Sequence, residues 1–196
     1  MDGIKLFLKA ILGGVFISLG CTVFLLNDNK LIGSALFSIG LLSIIYLKQS
    51  LYTGAICTKY IHDNFIDLLI ILLGNCFGCI FTAEGISFTR LYDAISDKCN
   101  NIIEIKSSDN WISLLILGML CELCIYIAVS VKEYQPLFVI IAITVFVFCG
   151  FEHCIADVFY YSASTESNSI LFLIPVCLGN TIAGVLLERY TKFING

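Results

Sequence analysis

The chain has 196 residues, of which 59% are hydrophobic and 13% charged, with a formal net charge of −4. A soluble domain is about one-quarter charged, so a mean hydropathy of +0.95 excludes that class and marks an integral membrane protein. Lys and Arg are scattered rather than clustered, which excludes a nucleic-acid partner.

A helix needs roughly 20 apolar residues to cross about 30 Å of hydrocarbon. On that rule the chain is all-α, with six transmembrane helices expected at 5–26, 31–59, 65–88, 111–131, 136–162 and 169–193. The first is too long and continuous for a signal peptide, and no small-residue cleavage site follows it before Asn27. The connections at 27–30, 60–64 and 132–135 are short. The one long polar segment, 89–110, reads as a connecting loop. It divides a single channel domain, 1–196, into repeats at 5–88 and 111–193. The Lys and Arg count near span ends favours both termini in the cytoplasm. Lys5, Lys9, Lys59, Lys132, Arg189 and Lys192 then lie inside, and Lys30, Arg90, Lys98 and Lys106 outside.

Two spans are interrupted at mid-depth by polar residues. Lys48-Gln49-Ser50-Leu51-Tyr52-Thr53-Gly54 breaks the second, and Gly150-Phe151-Glu152-His153-Cys154 breaks the fifth. In lipid, each backbone N–H and C=O must find a partner inside the protein, so such breaks are tolerated only where they are buried or line a cavity. The paired breaks predict a permeation pathway, with Thr53 and His153 where they meet. Leu73-Gly74-Asn75 in the third span is echoed by Leu178-Gly179-Asn180 in the sixth. Three helices per half is an odd number, so a repeat of this kind is inverted, and its discontinuous helices meet near the midplane. Gly13, Gly14, Gly20, Gly33, Gly40, Gly74 and Gly78 suit close helix packing.

Charged groups inside a bilayer are costly and usually functional. The candidates are Lys48, Glu84, Glu122, Glu152, His153 and Asp157. Lys48 and Glu84 lie near span ends, where they can snorkel. Glu152 is expected to cap the second half of the broken fifth span. An imidazole at the other break residue, His153, can hydrogen-bond to, or exchange a proton with, a weakly acidic permeant. The Thr53 hydroxyl can join it. Nine of the ten cysteines lie in apolar stretches and read as small buried hydrophobes, the Cys76–Cys79 and Cys121–Cys124 pairs included. Only Cys99 falls in the polar segment, so no disulfide framework is expected. A single span histidine without a metal-ligand set argues against an enzyme, a metal site or a cofactor.

These segments closely resemble the formate/nitrite transporter family, in order and over almost the whole chain. Gly150-Phe151-Glu152-His153-Cys154-Ile155-Ala156 resembles the family's fifth-helix break. Leu51-Tyr52-Thr53-Gly54 resembles its second-helix loop, and Leu173-Ile174-Pro175-Val176-Cys177-Leu178-Gly179-Asn180 the start of its last helix. The resemblance implies an aquaporin-like protomer in a homopentamer, with one pore per protomer. It implies passage of small monovalent anions or their conjugate acids, of the formate, nitrite and hydrosulfide class. By position it implies a pore centre at Thr53 and His153 and a vestibule lysine at Lys106. It also implies constrictions at Leu41, Tyr52 and Ile125 on one side and Phe37, Ile44 and Phe146 on the other, with Leu51 a further constriction residue. The chain departs from the family in carrying Glu122 and Asp157 where Asn is usual, and Tyr52 where Phe is usual. Ionised and facing a pore, those acids would favour a cation such as ammonium, or a neutral solute. Altered selectivity therefore stays open, as does a non-conducting membrane scaffold. The Ile-rich composition suits a bacterial inner membrane.

Overall fold

The computed structural model describes residues 2–58, 61–131, 135–166 and 169–195, and side chains at 61–64 are outside the description. Lys59 and Lys132, counted above for orientation, lie outside the described residues, as does most of the 132–135 connection. Among the described residues the chain is helical throughout. The elements are α1 (Gly3–Leu25), α2 (Lys30–Tyr46), α3 (Tyr52–Ile56), α4 (Ile61–Ser87), α5 (Tyr92–Ser108), α6 (Trp111–Val131), α7 (Pro136–Cys149), α8 (Cys154–Ala163) and α9 (Leu173–Asn195), with a 3-10 turn at Ile170–Phe172 before α9.

Four helices are long and apolar enough to cross a bilayer, namely α1, α4, α6 and α9. α7 and α8 qualify as a pair bent by 54°, and α2 is a shorter apolar helix. The expected fifth span is therefore α7 plus α8, and the expected second span is α2 plus the five-residue α3. Each interruption falls where polar residues enter an apolar run.

The expected loop at 89–110 is a correction: most of it is the helix α5. Ile95, Cys99 and Ile103, each four residues from the next, are buried along one stripe of α5, the pattern of a helix with one apolar face. Asp93 in its first turn and Lys106 in its last suit the helix dipole. Cys99 is thus buried rather than exposed in a loop.

α1 packs along α4, and α6 along α9. Missing side chains permit both approaches. A Cβ on Gly78 would run into the Ile11 carbonyl, and one on Gly179 into the Leu115 carbonyl. With lipid tails as apolar as leucine, such small-residue contacts let helix backbones approach closely enough to gain dispersion energy. α2 lies against α7, so the two interrupted segments are neighbours. Outward-facing residues such as Leu8, Phe77, Ile116, Phe138 and Leu186 leave large apolar side chains exposed, as a lipid-facing or subunit-facing surface requires.

Candidate permeation pathway

The two breaks are closed by the same pattern of hydrogen bonds. After α2, Lys48 adopts the left-handed conformation at φ 53°. The Gln49 N–H donates to the Ile44 carbonyl at 2.9 Å and the Ser50 N–H to the Lys9 carbonyl at 3.4 Å. The Tyr52 N–H donates to Asn75 Oδ1 at 2.8 Å. Asn75 Nδ2 returns two donors, to the Ser50 carbonyl at 2.9 Å and the Ala10 carbonyl at 2.7 Å. After α7, Gly150 takes the left-handed turn at φ 75°. The Phe151 N–H donates to the Phe146 carbonyl at 3.0 Å and the Glu152 N–H to the Leu117 carbonyl at 3.3 Å. The Cys154 N–H donates to Asn180 Oδ1 at 3.0 Å. Asn180 Nδ2 donates to the Glu152 carbonyl at 3.0 Å and the Gly118 carbonyl at 2.7 Å. Each asparagine therefore clips residues two apart in its own break to the first helix of its own half. Backbone groups that lipid could never satisfy are satisfied by one carboxamide.

The residue between the clipped pair is Leu51 in one half and His153 in the other. His153 is the N-cap of α8, its Nδ1 accepting the Ala156 N–H at 3.2 Å. An accepting Nδ1 carries no proton, so in the neutral ring the hydrogen sits on Nε2. Nε2 lies 3.2 Å from Thr53 Oγ1, and in this tautomer it donates to that hydroxyl. Both side chains are buried. The imidazole stacks on Phe146 with centroids 5.8 Å apart, and Phe146 meets Phe37 edge-on at 5.5 Å.

Two cavities approach this pair. The first, of about 290 Å³, is lined by Phe37, Phe146, His153, Lys106, Glu152 and Asp157 among others. The second, of about 280 Å³, is lined by Leu41, Ile44 and Leu51, by Gly54 and Ala55 beyond Thr53, and by the polar residues Lys48, Gln49, Ser50 and Thr58, among others. They share no lining residue. Phe37, Leu41 and Ile44 follow one another along one face of α2, over about 10 Å at 1.5 Å per residue, and so run from the first cavity to the second. Ile44 therefore sits with Leu41 and Leu51, not beside Phe37 and Phe146 as expected. The hydrogen-bond pattern gives the reason, because Ile44 precedes its break as Phe146 precedes the other. Tyr52 and Ile125 are buried but line neither cavity. The Tyr52 hydroxyl instead meets Thr181 Oγ1 of α9 at 3.0 Å.

The charged groups are arranged differently from expectation. Glu152 does not cap α8, since His153 does so. Its carboxylate pairs with the Lys106 ammonium instead. Asp157, in the first turn of α8, brings Oδ1 to 3.0 Å from the same ammonium. Burial pulls the Lys106 ammonium toward its neutral form, but Asp157 and Glu152 more than offset this and hold it above the usual lysine range. Lys106 stays charged, with two of its donors engaged by carboxylates. The other unusual acid, Glu122, is fully buried between α6 and α9, near Ile56 and Gly184, and lines neither cavity. Lys48 and Glu84 are exposed, as span-end positions allow.

The sequence profile of the formate/nitrite transporter family matches residues 1–193. The chain belongs to that family. Among relatives of this transporter, the formate channel FocA of Haemophilus influenzae is 28% identical over 83% of this chain and 74% of its own length. The uncharacterized transporter YwcJ of Bacillus subtilis is 29% identical over 97% of this chain and 88% of its own. A solved structure described as a pentameric formate channel with formate bound superposes with a TM-score of 0.85 at 20% identity, covering 98% of this chain and 97% of that one. An FNT family ion channel superposes at 0.87 with 20% identity, over 100% and 91%. The all-helical channel fold and the resemblance drawn from the motifs are borne out, and the chain is a multi-pass membrane protein.

Sequence reasoning named Asn75 and Asn180 only as an echo between the halves. The repeated Leu-Gly-Asn within the last long helix of each half was the available signal for a backbone clip.

Proposed function

We propose that this transporter passes small monovalent anions of the formate, nitrite and hydrosulfide class as their neutral conjugate acids, through a pore centred on Thr53 and His153. The observation that carries the reading is the buried Thr53–His153 hydrogen bond between two cavities. A bare anion crossing the apolar stretch from Phe37 to Leu41 would lose its hydration without compensation, at a cost of many kcal/mol. The same anion bound to one proton crosses as an uncharged acid. That proton comes from the solvent entering the cavity that holds Lys106, Glu152 and Asp157. Neutral His153 has a single N–H, at Nε2, which donates to Thr53 Oγ1 at rest and turns to the permeant as it passes, while Nδ1 stays occupied by the α8 cap. A second proton on the ring would break that cap, so the imidazole acts as a fixed donor rather than a proton carrier.

The two halves cross in opposite senses as an inverted repeat, which the matched clips at both breaks support. Five protomers assemble, as in the pentameric formate channel of similar fold. Both termini face the cytoplasm across a cell membrane, a reading tested by accessibility of terminal tags in right-side-out vesicles.

Liposome flux decides the substrate class. Formate, nitrite and hydrosulfide uptake is expected to rise as external pH falls, with no ammonium uptake. Ammonium flux without anion flux would replace this reading, and no flux of any of them would make the protein a scaffold. His153→Asn keeps a capping acceptor and removes the Nε2 donor. Its formate uptake is expected to fall about tenfold, the worth of one hydrogen bond of about 1.4 kcal/mol, while the pH dependence is retained. Unchanged uptake in this variant would remove the imidazole from the mechanism.

A further inference from the structure

We propose that Lys30, and not Lys106, is the residue that captures the anion at the mouth of the first cavity; the inference rests on the anion-channel reading above. Four formally charged side chains line this cavity: Lys30, Lys106, Glu152 and Asp157. Lys106 is bound by both carboxylates. Those carboxylates offset the Lys106 charge, so its ammonium offers an arriving anion little net attraction. Lys30 supplies the second ammonium, and with it the lining reaches formal neutrality.

Lys30 is also free to act. It is the first residue of α2, after the Asn29 cap, and it is exposed. Among the described residues it makes no ion pair. Its Nζ lies 5.4 Å from the centroid of the Phe148 ring. That face contact steadies the ammonium electrostatically but spends none of its N–H donors on an acceptor. The neighbouring charges do not compete for it. Lys98 is held by the Leu25 carbonyl at 2.6 Å and by Asp28 at 3.3 Å. Asp28 and Lys98 thus compensate each other in the adjoining surface hollow, which Lys30 also lines.

Geometry gives the two lysines different tasks. Lys106 is positioned to balance the carboxylates beside His153. Lys30 stands at the rim on a flexible four-carbon stem, where a compact ammonium can meet a hydrated anion and follow it inward. A single charge at the mouth of a low-dielectric cavity raises the local anion concentration over about one Debye length, roughly 8 Å at physiological salt. Its effect is therefore on capture, not on passage.

The test is initial formate uptake by reconstituted wild type, Lys30→Gln, Lys30→Arg and Lys30→Glu, measured against formate concentration at low and high ionic strength. Lys30→Gln is expected to raise the half-saturating concentration three- to tenfold with the maximal rate kept, and to flatten the salt dependence. Lys30→Arg restores both, and Lys30→Glu weakens capture further. Wild type that conducts formate while Lys30→Gln keeps the same half-saturation and salt dependence overturns the inference alone. Wild type that passes none of formate, nitrite and hydrosulfide overturns the channel reading and this inference with it. Lys30 is exposed and outside the packed interior, so the elution profile of each variant in detergent is expected to match wild type.

Discussion

Asn75 and Asn180 each satisfy one buried N–H and two buried carbonyls with a single side chain. Leaving a buried polar group without a partner costs about 1–3 kcal/mol. Asn75→Leu and Asn180→Leu are therefore expected to destabilise the protein by several kcal/mol each, about the sum of three such losses. Thermal unfolding in detergent checks this, and matched losses at the two positions are the specific outcome of a shared clip. His153→Ala makes a smaller demand. It removes one cap, worth about 0.5–2 kcal/mol, together with the Thr53 hydrogen bond and the Phe146 stack, while His153→Asn retains a capping acceptor and should melt closer to wild type. The comparison separates the structural work of Nδ1 from the permeant-facing work proposed for Nε2.

At the scale of elements, the close α1–α4 and α6–α9 contacts are the part most sensitive to size. Gly78→Val is expected to push α1 off α4, with overpacking costs of about 1–3 kcal/mol or more, read as a lower melting temperature and a changed oligomer profile. α5 gives a chemical signature. Burial pushes the Cys99 thiol up to about 12, so its thiolate is scarce and hidden. Alkylation at pH 8 followed by peptide mapping should find Cys99 unmodified until the protein is unfolded. Ready labelling would mean that 92–108 is a loose strap and not a packed helix.

The same scale shows what sequence could and could not reveal. The continuous spans were legible because membrane helices must be long and apolar, and α6 falls on the expected 111–131. The two breaks were legible because polar runs at mid-depth have few tolerated explanations. α5 was not, because its polar surface outweighed a stripe of Ile95, Cys99 and Ile103 in the composition of the segment. In the pathway, Thr53 and His153 could be paired from their places in the two breaks. The side chain that caps α8 could not be settled by adjacency, since Glu152 and His153 are both acceptors and only backbone direction decides between them. Ile44 was placed at the wrong end because a face of α2 does not say how far along the pore each turn lies. Lys30 entered the sequence reading only as one positive charge among several outside the membrane.

For the whole molecule, the arrangement separates roles along the pathway. Most of the charges gather in the first cavity, an aromatic pair stands beside it, the Thr53–His153 contact follows, and the second cavity joins aliphatic side chains such as Leu41, Ile44 and Leu51 to a polar edge of Lys48, Gln49, Ser50 and Thr58. Flux through such a path should respond differently to changes at each level, with Lys30 altering half-saturation and Phe37 or Leu41 altering maximal rate. Leu41→Ala, measured by formate uptake under saturating substrate, is expected to raise the maximal rate by opening the aliphatic end.

The clips grip only the main chain, at positions flanking a single side chain, and so leave that side chain's chemistry unspecified. The protein already shows two unlike outcomes on one mould, an aliphatic group at 51 and an aromatic base at 153. A laboratory graft such as Leu51→His would set a second imidazole on the opposite approach without asking the scaffold to bend differently. On the inverted-repeat reading, the two halves diverge along this same route, one substitution at a time, with the folding problem solved beforehand.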